Sequence, residues 1–536
     1  MNKGVKDIEF TTSWSKMTKV GGQSIKDVVI DQDVSTTTRD QEKTYRILLM
    51  VPYGNIPAYW FPLALGYLKN NIPERHHVEI LDCTLAEMPS DSPELIEEFK
   101  KFNPDIVGIS TASLTSSEAI NALKVAKSVK PSVITVLGGS HGTNYPDKVM
   151  KNEFIDYCFR GESDLSFDIF LNQLTAGNFD LVAGLVYRKK DSLIKNEIKN
   201  EDDIDKIKIP DYHALKLKTY LDRGYNYGGF YGKTAPIWVT RGCPFKCSFC
   251  SAPLLNGRGI RAHSPEYLAN WIEYLYHEFE IRQFSIIDDN FTFDMDYAKS
   301  FCRFVIQRVE NGWFDEQIYF TTPNGVRMEM LDDELLALMK KAGWEGLTLA
   351  PESGSKKTLV RMKKNTDITM VPGIVDMVRA AGLNVRAFFM VGYPGETLED
   401  VKDTIKLIRS CKLDSILIGR FVPLPGTPIY DELVELGEIP ADYIPPQTFS
   451  LFTPFQERTR HKIYNPPGFE SFNLFWTLLR EHIFLALRNP RAILYFVKYY
   501  GVMNVMKKMF FLGKPTGEKL GSAYTNEKVA GAMGNS

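Results

Sequence analysis

The chain has 536 residues, 44% of them apolar and 24% charged, and its 64 basic and 66 acidic side chains leave a formal net charge of -2. That balance supplies no general attraction to nucleic acid, and the length exceeds what one small core supports, so two or three domains are expected. No apolar run follows a basic start; neither a secretory signal nor a membrane anchor is evident, and a cytoplasmic location is expected.

Residues 1–44 are dominated by Ser, Thr, Lys and Asp without apolar periodicity, which predicts a disordered arm. From 45 to 178, β-branched runs at 46–51, 78–81, 105–110, 133–137 and 156–159 alternate with helical stretches. Such a series predicts an open, doubly wound, Rossmann-like parallel sheet. Residues 179–234 read as a hairpin, near 181–199, and a linker that carries the acidic run Glu201, Asp202, Asp203 and Asp205. A second β/α series fills 235–426, with strands near 237–240, 283–287, 319–322, 346–349, 385–391 and 415–418. These make a partial (β/α)6 barrel, and chemistry in such barrels collects at the carboxyl ends of the strands. Residues 427–536 turn helical and aromatic, as a capping region would. Within them, 484–512 mixes large apolar residues with Arg488, Arg491, Lys498, Lys507 and Lys508. That pattern fits packing over the barrel or, alternatively, contact with a membrane or a lipid-like substrate.

Of the seven cysteines, Cys83, Cys158, Cys302 and Cys411 are scattered, while Cys243, Cys247 and Cys250 fall within eight residues directly after the first barrel strand. A disulfide framework does not distribute cysteines this way; ligation does. A cubane iron–sulfur cluster normally takes four thiolates, so three leave one iron open to another ligand. A Cys3His zinc site completed by His263 is the competing reading.

The segment Cys243-Pro-Phe-Lys-Cys247-Ser-Phe-Cys250, with aromatic Phe249 before its last cysteine, resembles the signature of the radical S-adenosylmethionine (SAM) superfamily. The resemblance implies a [4Fe-4S] cluster whose open iron chelates SAM, and a low-potential electron donor such as flavodoxin or ferredoxin. Further segments at strand ends resemble the same superfamily. Asp288 and Asp289 stand where it holds the SAM amino group, although a helix N-cap explains them too. Ala350-Pro351-Glu352-Ser353-Gly354-Ser355 resembles its Gly-Ile-Glu-Ser-Gly-Ser segment, which makes Glu352 and Ser353 candidate SAM contacts. Gly392, in Gly392-Tyr393-Pro394-Gly395-Glu396, resembles its turn beside the adenine, or serves a tight turn for backbone reasons alone. Asn324 is a candidate for the SAM ribose or carboxylate, with a structural turn as the other reading.

In the amino-terminal domain, the loop after the first strand carries Pro52, Tyr53, Tyr59, Trp60, Phe61 and Pro62, suited to packing on a flat macrocycle. Later loops hold small residues around Ser110, around Gly138, Gly139 and His141, and around Gly161 and Glu162. Such residues let a nucleotide tail approach the backbone closely. The order of these loops resembles the cobalamin-binding domain fused ahead of radical SAM barrels, so Tyr53, Trp60, Ser110, Gly138, Gly139, His141, Gly161 and Glu162 become candidate cobalamin contacts. The Asp-x-His-x-x-Gly string that supplies a cobalt ligand elsewhere is absent. His141 is read instead as a contact to the nucleotide tail or a hydrogen-bonding loop residue.

The resemblance covers roughly 45–430 and implies a cobalamin-dependent radical SAM methyltransferase that methylates an unactivated carbon through methylcobalamin and a 5'-deoxyadenosyl radical. A cobalamin-dependent cyclase of the same branch is the competing enzyme. An iron or zinc sensor or scaffold is the competing non-enzyme. A methylthiotransferase needs a second cysteine set, and only Cys83 and Cys158 precede Cys243. The substrate is expected to be a small molecule, a lipid or a peptide, not a nucleic acid.

Overall fold

Strand β1 (Arg46–Val51) alternates its side chains between two cores, as the period of two in a strand requires. Leu48 and Met50 pack with Val107, Ile109 and helix 93–102 on one face, and Ile47 and Leu49 with Ile106, Phe167 and Phe170 on the other. The computed structural model describes residues 43–54, 61–228, 232–441, 443, 464–469, 472 and 474–489. The arm expected over 1–44 lies outside them except for its last two residues, as do Tyr59, Trp60 and the capping segment beyond 489.

The first sheet joins β1 to β2 (His77–Asp82), β3 (Ile106–Ser110), β4 (Ile134–Gly138), β5 (Tyr157–Phe159), β6 (Leu185–Lys189) and β7 (Ser192–Lys195), in the order β2-β1-β3-β4-β5-β6-β7. Strands β1 to β5 run parallel, and the hairpin β6–β7 adds two antiparallel strands at the β5 edge. The order reverses between β1 and β3, and their carboxyl ends form the crevice where ligands of doubly wound sheets lie.

The second series is β8 (Lys233–Ile237), β9 (Thr240–Arg241), β10 (Arg261–Ala262), β11 (Ile281–Ile286), β12 (Tyr319–Thr321), β13 (Gly346–Glu352), β14 (Asn384–Val391) and β15 (Ser415–Arg420). Two parallel arcs, β8-β11-β12 and β13-β14-β15, are joined by bridges between Phe320 and Trp344 and between Val326 and Leu349. This is the expected partial six-stranded barrel. One strand is shifted: the sequence places it near 237–240, whereas the ladder stops at Ile237. The cause is Asp288, whose carboxylate accepts the Val239 and Thr240 amides at 2.8 and 2.7 Å. Thr240 and Arg241 then pair with Arg261 and Ala262 in a small antiparallel hairpin.

The linker is part of the core rather than a loose tether. Ile204, Ile207, Tyr212 and Leu217 are buried in the same apolar cluster as the barrel strands. Helix 474–488 docks on the barrel through Glu481, which accepts from Arg409 at 2.7 and 2.8 Å. Among the described residues no helix is long and apolar enough to cross a membrane.

Candidate functional site

The hairpin β9–β10 brackets the cysteine loop, and its geometry depends on Gly242. That residue has φ +96°, and a Cβ there would lie 2.1 Å from the Gly259 carbonyl oxygen. Gly242→Ala therefore carries about 1–3 kcal/mol of backbone strain besides the clash. We expect iron content after reconstitution to fall well below that of the unmutated protein; full iron content with an unchanged Tm would contradict this. The loop is pinned from both sides. The Cys243 amide donates to Gly257 O, the Ser248 amide to Met362 O, and Ser248 Oγ shares a hydrogen bond of 2.7 Å with the Tyr393 hydroxyl. The Phe249 ring meets Tyr393 edge-on at 6.4 Å. The turn after β14 thus touches the cysteine loop directly.

All three thiols are free and partly buried. Burial pushes Cys250 up to about 12 and raises Cys243, against the backbone amides that favour each thiolate. Thiolates here need the positive charge of bound metal, which is what a coordinated cluster brings. Among the described residues no group of three or more His, Cys, Asp and Glu side chains converges as a single ion requires. A cubane distributes its ligands around a cage, one thiolate per iron, and the donor set of three cysteines fits it. His263, the proposed fourth zinc ligand, is engaged elsewhere: its Nδ1 bonds Asp205 at 2.8 Å and its ring stacks on Tyr267 at 3.9 Å.

The strand-end residues are held by one another. Asp288 is fully buried, and its carboxylate accepts from Thr240 Oγ as well as from the two amides that end β8. Burial raises its pKa to about 7 despite those hydrogen bonds, with Asp289 adding to the rise. Asp289 accepts from Asn256 Nδ2 at 2.8 Å. Asn324 donates to the carbonyls of Ile287 and Asp288 and accepts from the Tyr227 hydroxyl. Glu352 has φ +65° and pairs with buried Lys364 at 3.1 Å. A left-handed glutamate is strained; Asn103 and Glu280 take the same conformation at helix C-caps, whereas Glu352 takes it at the end of a barrel strand. Ser353 is occupied by Thr404 Oγ and the Ser355 amide, and the Gly392 amide, at φ +80°, donates to Glu396.

In the amino-terminal domain, Ser110, Gly138, Gly139 and Gly161 line the half-open carboxyl edge of the sheet, and Tyr53 packs beside the core below it. Gly139, at φ +81°, sits where a Cβ would come within 2.7 Å of the Thr111 backbone. Small residues at the ends of β3, β4 and β5 keep that part of the carboxyl edge poor in side chains, which fits the close approach of a long nucleotide tail. His141 is buried, bonds Ser113 Oγ through Nδ1 at 3.2 Å, and is lowered to about 4 by burial and nearby Lys148. It is a neutral, hydrogen-bonded residue of the short helix 139–144 rather than of a loop. Helix 139–144 packs against helix 252–256, which follows Cys250.

Glu162 joins the two halves. It accepts from both terminal nitrogens of Arg261 at 2.8 and 2.5 Å, while Arg241 bonds Asp164 at 2.7 Å and lies 3.5 Å from Glu162. Arg241 lies against the rings of Tyr67 and Trp238, with 2% of its side chain exposed. Arg261 continues to the Asn256 carbonyl, and Asn256 to Asp289. Sequence reasoning missed Arg241, Asp164, Arg261, Asn256 and Lys364. The one available signal was an arginine set in the apolar run that leads into the first cysteine.

Residues 237–408 match the model of the Radical SAM superfamily, and residues 51–171 match that of the B12 binding domain. An uncharacterized methyltransferase of Pyrococcus horikoshii is 30% identical over 375 residues, covering 69% of this chain and 78% of that protein. The anaerobic magnesium-protoporphyrin IX monomethyl ester cyclase of Rubrivivax gelatinosus is 28% identical over 396 residues, covering 72% and 68%. The radical SAM methyltransferase TsrM of Kitasatospora setae, solved with cobalamin and a [4Fe-4S] cluster bound, shares the fold with a TM-score of 0.64 at 17% identity, over 81% of this chain and 90% of that one. The chain belongs to the radical SAM enzymes that carry a B12-binding domain, and its cofactors are a [4Fe-4S] cluster, S-adenosylmethionine and cobalamin.

Proposed function

We propose that this enzyme is a cobalamin-dependent methyltransferase that places a methyl group from SAM on an unactivated carbon. The observation that carries the reading is the Glu162–Arg261 and Asp164–Arg241 junction, by which the loop after β5 grips the hairpin around the cysteines. Such a junction holds the edge of the B12-binding sheet against the cysteine loop, as a reaction shared by both cofactors demands. When bound, the cofactors supply the methyl group, its carrier and the radical that takes hydrogen from the substrate.

The chain's own residues bind and orient. Cys243, Cys247 and Cys250 ligate the cluster. Glu352, Asp289, Asn324, Ser353, Gly392 and Phe249 would hold SAM, and Asp288 fixes the chain just after β8. Tyr53, Ser110, Gly138, Gly139, Gly161 and neutral His141 would hold cobalamin, together with Trp60, which lies outside the described residues. Glu162 acts at the junction rather than on the cofactor. The substrate is a small molecule, a lipid or a peptide, and a low-potential carrier supplies the electrons.

Glu352→Ala removes the carboxylate, keeps the left-handed backbone and leaves the thiols untouched. It is expected to weaken SAM binding at least tenfold with unchanged iron content. Equal affinity, measured by equilibrium binding, would move the role to another residue.

The cyclase relative keeps a second reading open, ring formation without methyl transfer. Reduced holoenzyme given SAM separates the two. S-adenosylhomocysteine together with 5'-deoxyadenosine supports the methyltransferase, and 5'-deoxyadenosine alone supports the cyclase.

A further inference from the structure

Ser248, between two of the cysteines, forms the floor of a surface cavity of about 300 Å³. Its walls come from the helix 356–361 and the residues just after it, and from the start of helix 428–435. The Ser248 amide donates to Met362 O, its hydroxyl donates to Arg361 O at 3.2 Å, and its carbonyl accepts the Ile429 amide. Tyr393, bonded to Ser248 Oγ, has Arg361, Glu432 and Cys247 among its electrostatic neighbours. One peptide bond therefore separates the cavity floor from Cys247, and the wall is hydrogen-bonded to that same peptide.

The rim is basic. Lys357 and Lys363 line it, are exposed, and have no salt-bridge partner among the described residues. Lys356, adjacent in sequence, and Lys246, inside the cysteine loop, are exposed as well. Arg361 is paired with Glu432, while Val360 presents an apolar side chain, 68% exposed, between the cations. The chain as a whole is close to neutral, so this concentration of positive charge is local.

We infer that this basic cavity is the docking surface for an acidic protein that carries single electrons. The inference rests on the assignment of the three cysteines to the cluster. Charge complementarity selects the partner, because a patch of unpaired lysines around an apolar centre attracts and orients an acidic surface. Position selects what that partner does, since no other group on the cavity floor lies closer along the chain to a cluster ligand than Ser248. In the step it serves, the carrier loses one electron and the cluster gains it; no proton or group is exchanged.

The test uses reduced flavodoxin as the probe and the reconstituted full chain with the double substitution K357E/K363E. At low ionic strength the bimolecular rate of cluster reduction should fall at least tenfold, and the difference should collapse as salt is raised. The control K100E/K101E makes the same change in net charge on the helix 93–102 and should leave the rate within about twofold, since dispersed charge steers weakly across more than a Debye length. With excess titanium(III) citrate, K357E/K363E should reach the same extent of cluster reduction and SAM cleavage as the unmutated chain. An unchanged rate with flavodoxin, or equal slowing in both double variants, overturns the docking site. A wild-type chain that holds no reducible cluster under titanium(III) citrate overturns the cysteine assignment, a result distinct from either.

Discussion

Cys247→Ala is expected to abolish cluster assembly and reductive cleavage of SAM while leaving the fold intact. Three thiolates leave one iron open for SAM, so losing one removes a structural corner rather than a contact. The loop does not depend on that side chain for its shape. Ser248 is pinned by Met362, Arg361 and Tyr393, and Cys243 by Gly257. The variant should therefore keep its circular dichroism and its cobalamin, and lose the cluster absorbance with 5'-deoxyadenosine at background. A variant that still makes 5'-deoxyadenosine at the normal rate would defeat the ligand assignment.

Glu162→Ala should produce the largest loss of stability. Its side chain is 9% exposed, and the side chains of Arg241 and Arg261 are 2% and 7% exposed. Asp164 continues to serve Arg241, so Arg261 is the cation left with only the carbonyls of Glu201 and Asn256. Removing one partner of a buried pair leaves a desolvated charge and typically costs about 3–5 kcal/mol. The expected result is an unfolding transition displaced to lower denaturant by that amount, read on the apoprotein so that cofactor loss does not mask it. Glu162→Gln, which keeps the shape and loses the charge, should fall between. A change below about 1 kcal/mol would mean that the junction is not what holds the loop after β5 to the cysteine hairpin.

Much of the architecture was legible because it is written in local patterns. The alternation of Ile47, Leu48, Leu49 and Met50 marks a strand buried on both faces, and the spacing of Cys243, Cys247 and Cys250 marks a ligand loop. What was not legible depends on contacts distant in sequence. Asp288 ends β8 by capping amides 48 and 49 residues away, which shifted the strand from its expected place. Glu162 reads locally as one more residue in a Gly-rich loop, and only the fold sets it against Arg261, 99 residues on. The pairing of Glu352 with Lys364 follows from a left-handed turn that its sequence does not announce.

The most direct test of methyl transfer is anaerobic. The full chain is reconstituted with iron, sulfide and cobalamin, reduced, and given SAM labelled in its methyl group. Label is expected to migrate with the protein-bound cobalamin, and S-adenosylhomocysteine to accumulate in step with it. Cobalamin that binds but stays unlabelled while 5'-deoxyadenosine is released would contradict methyl transfer.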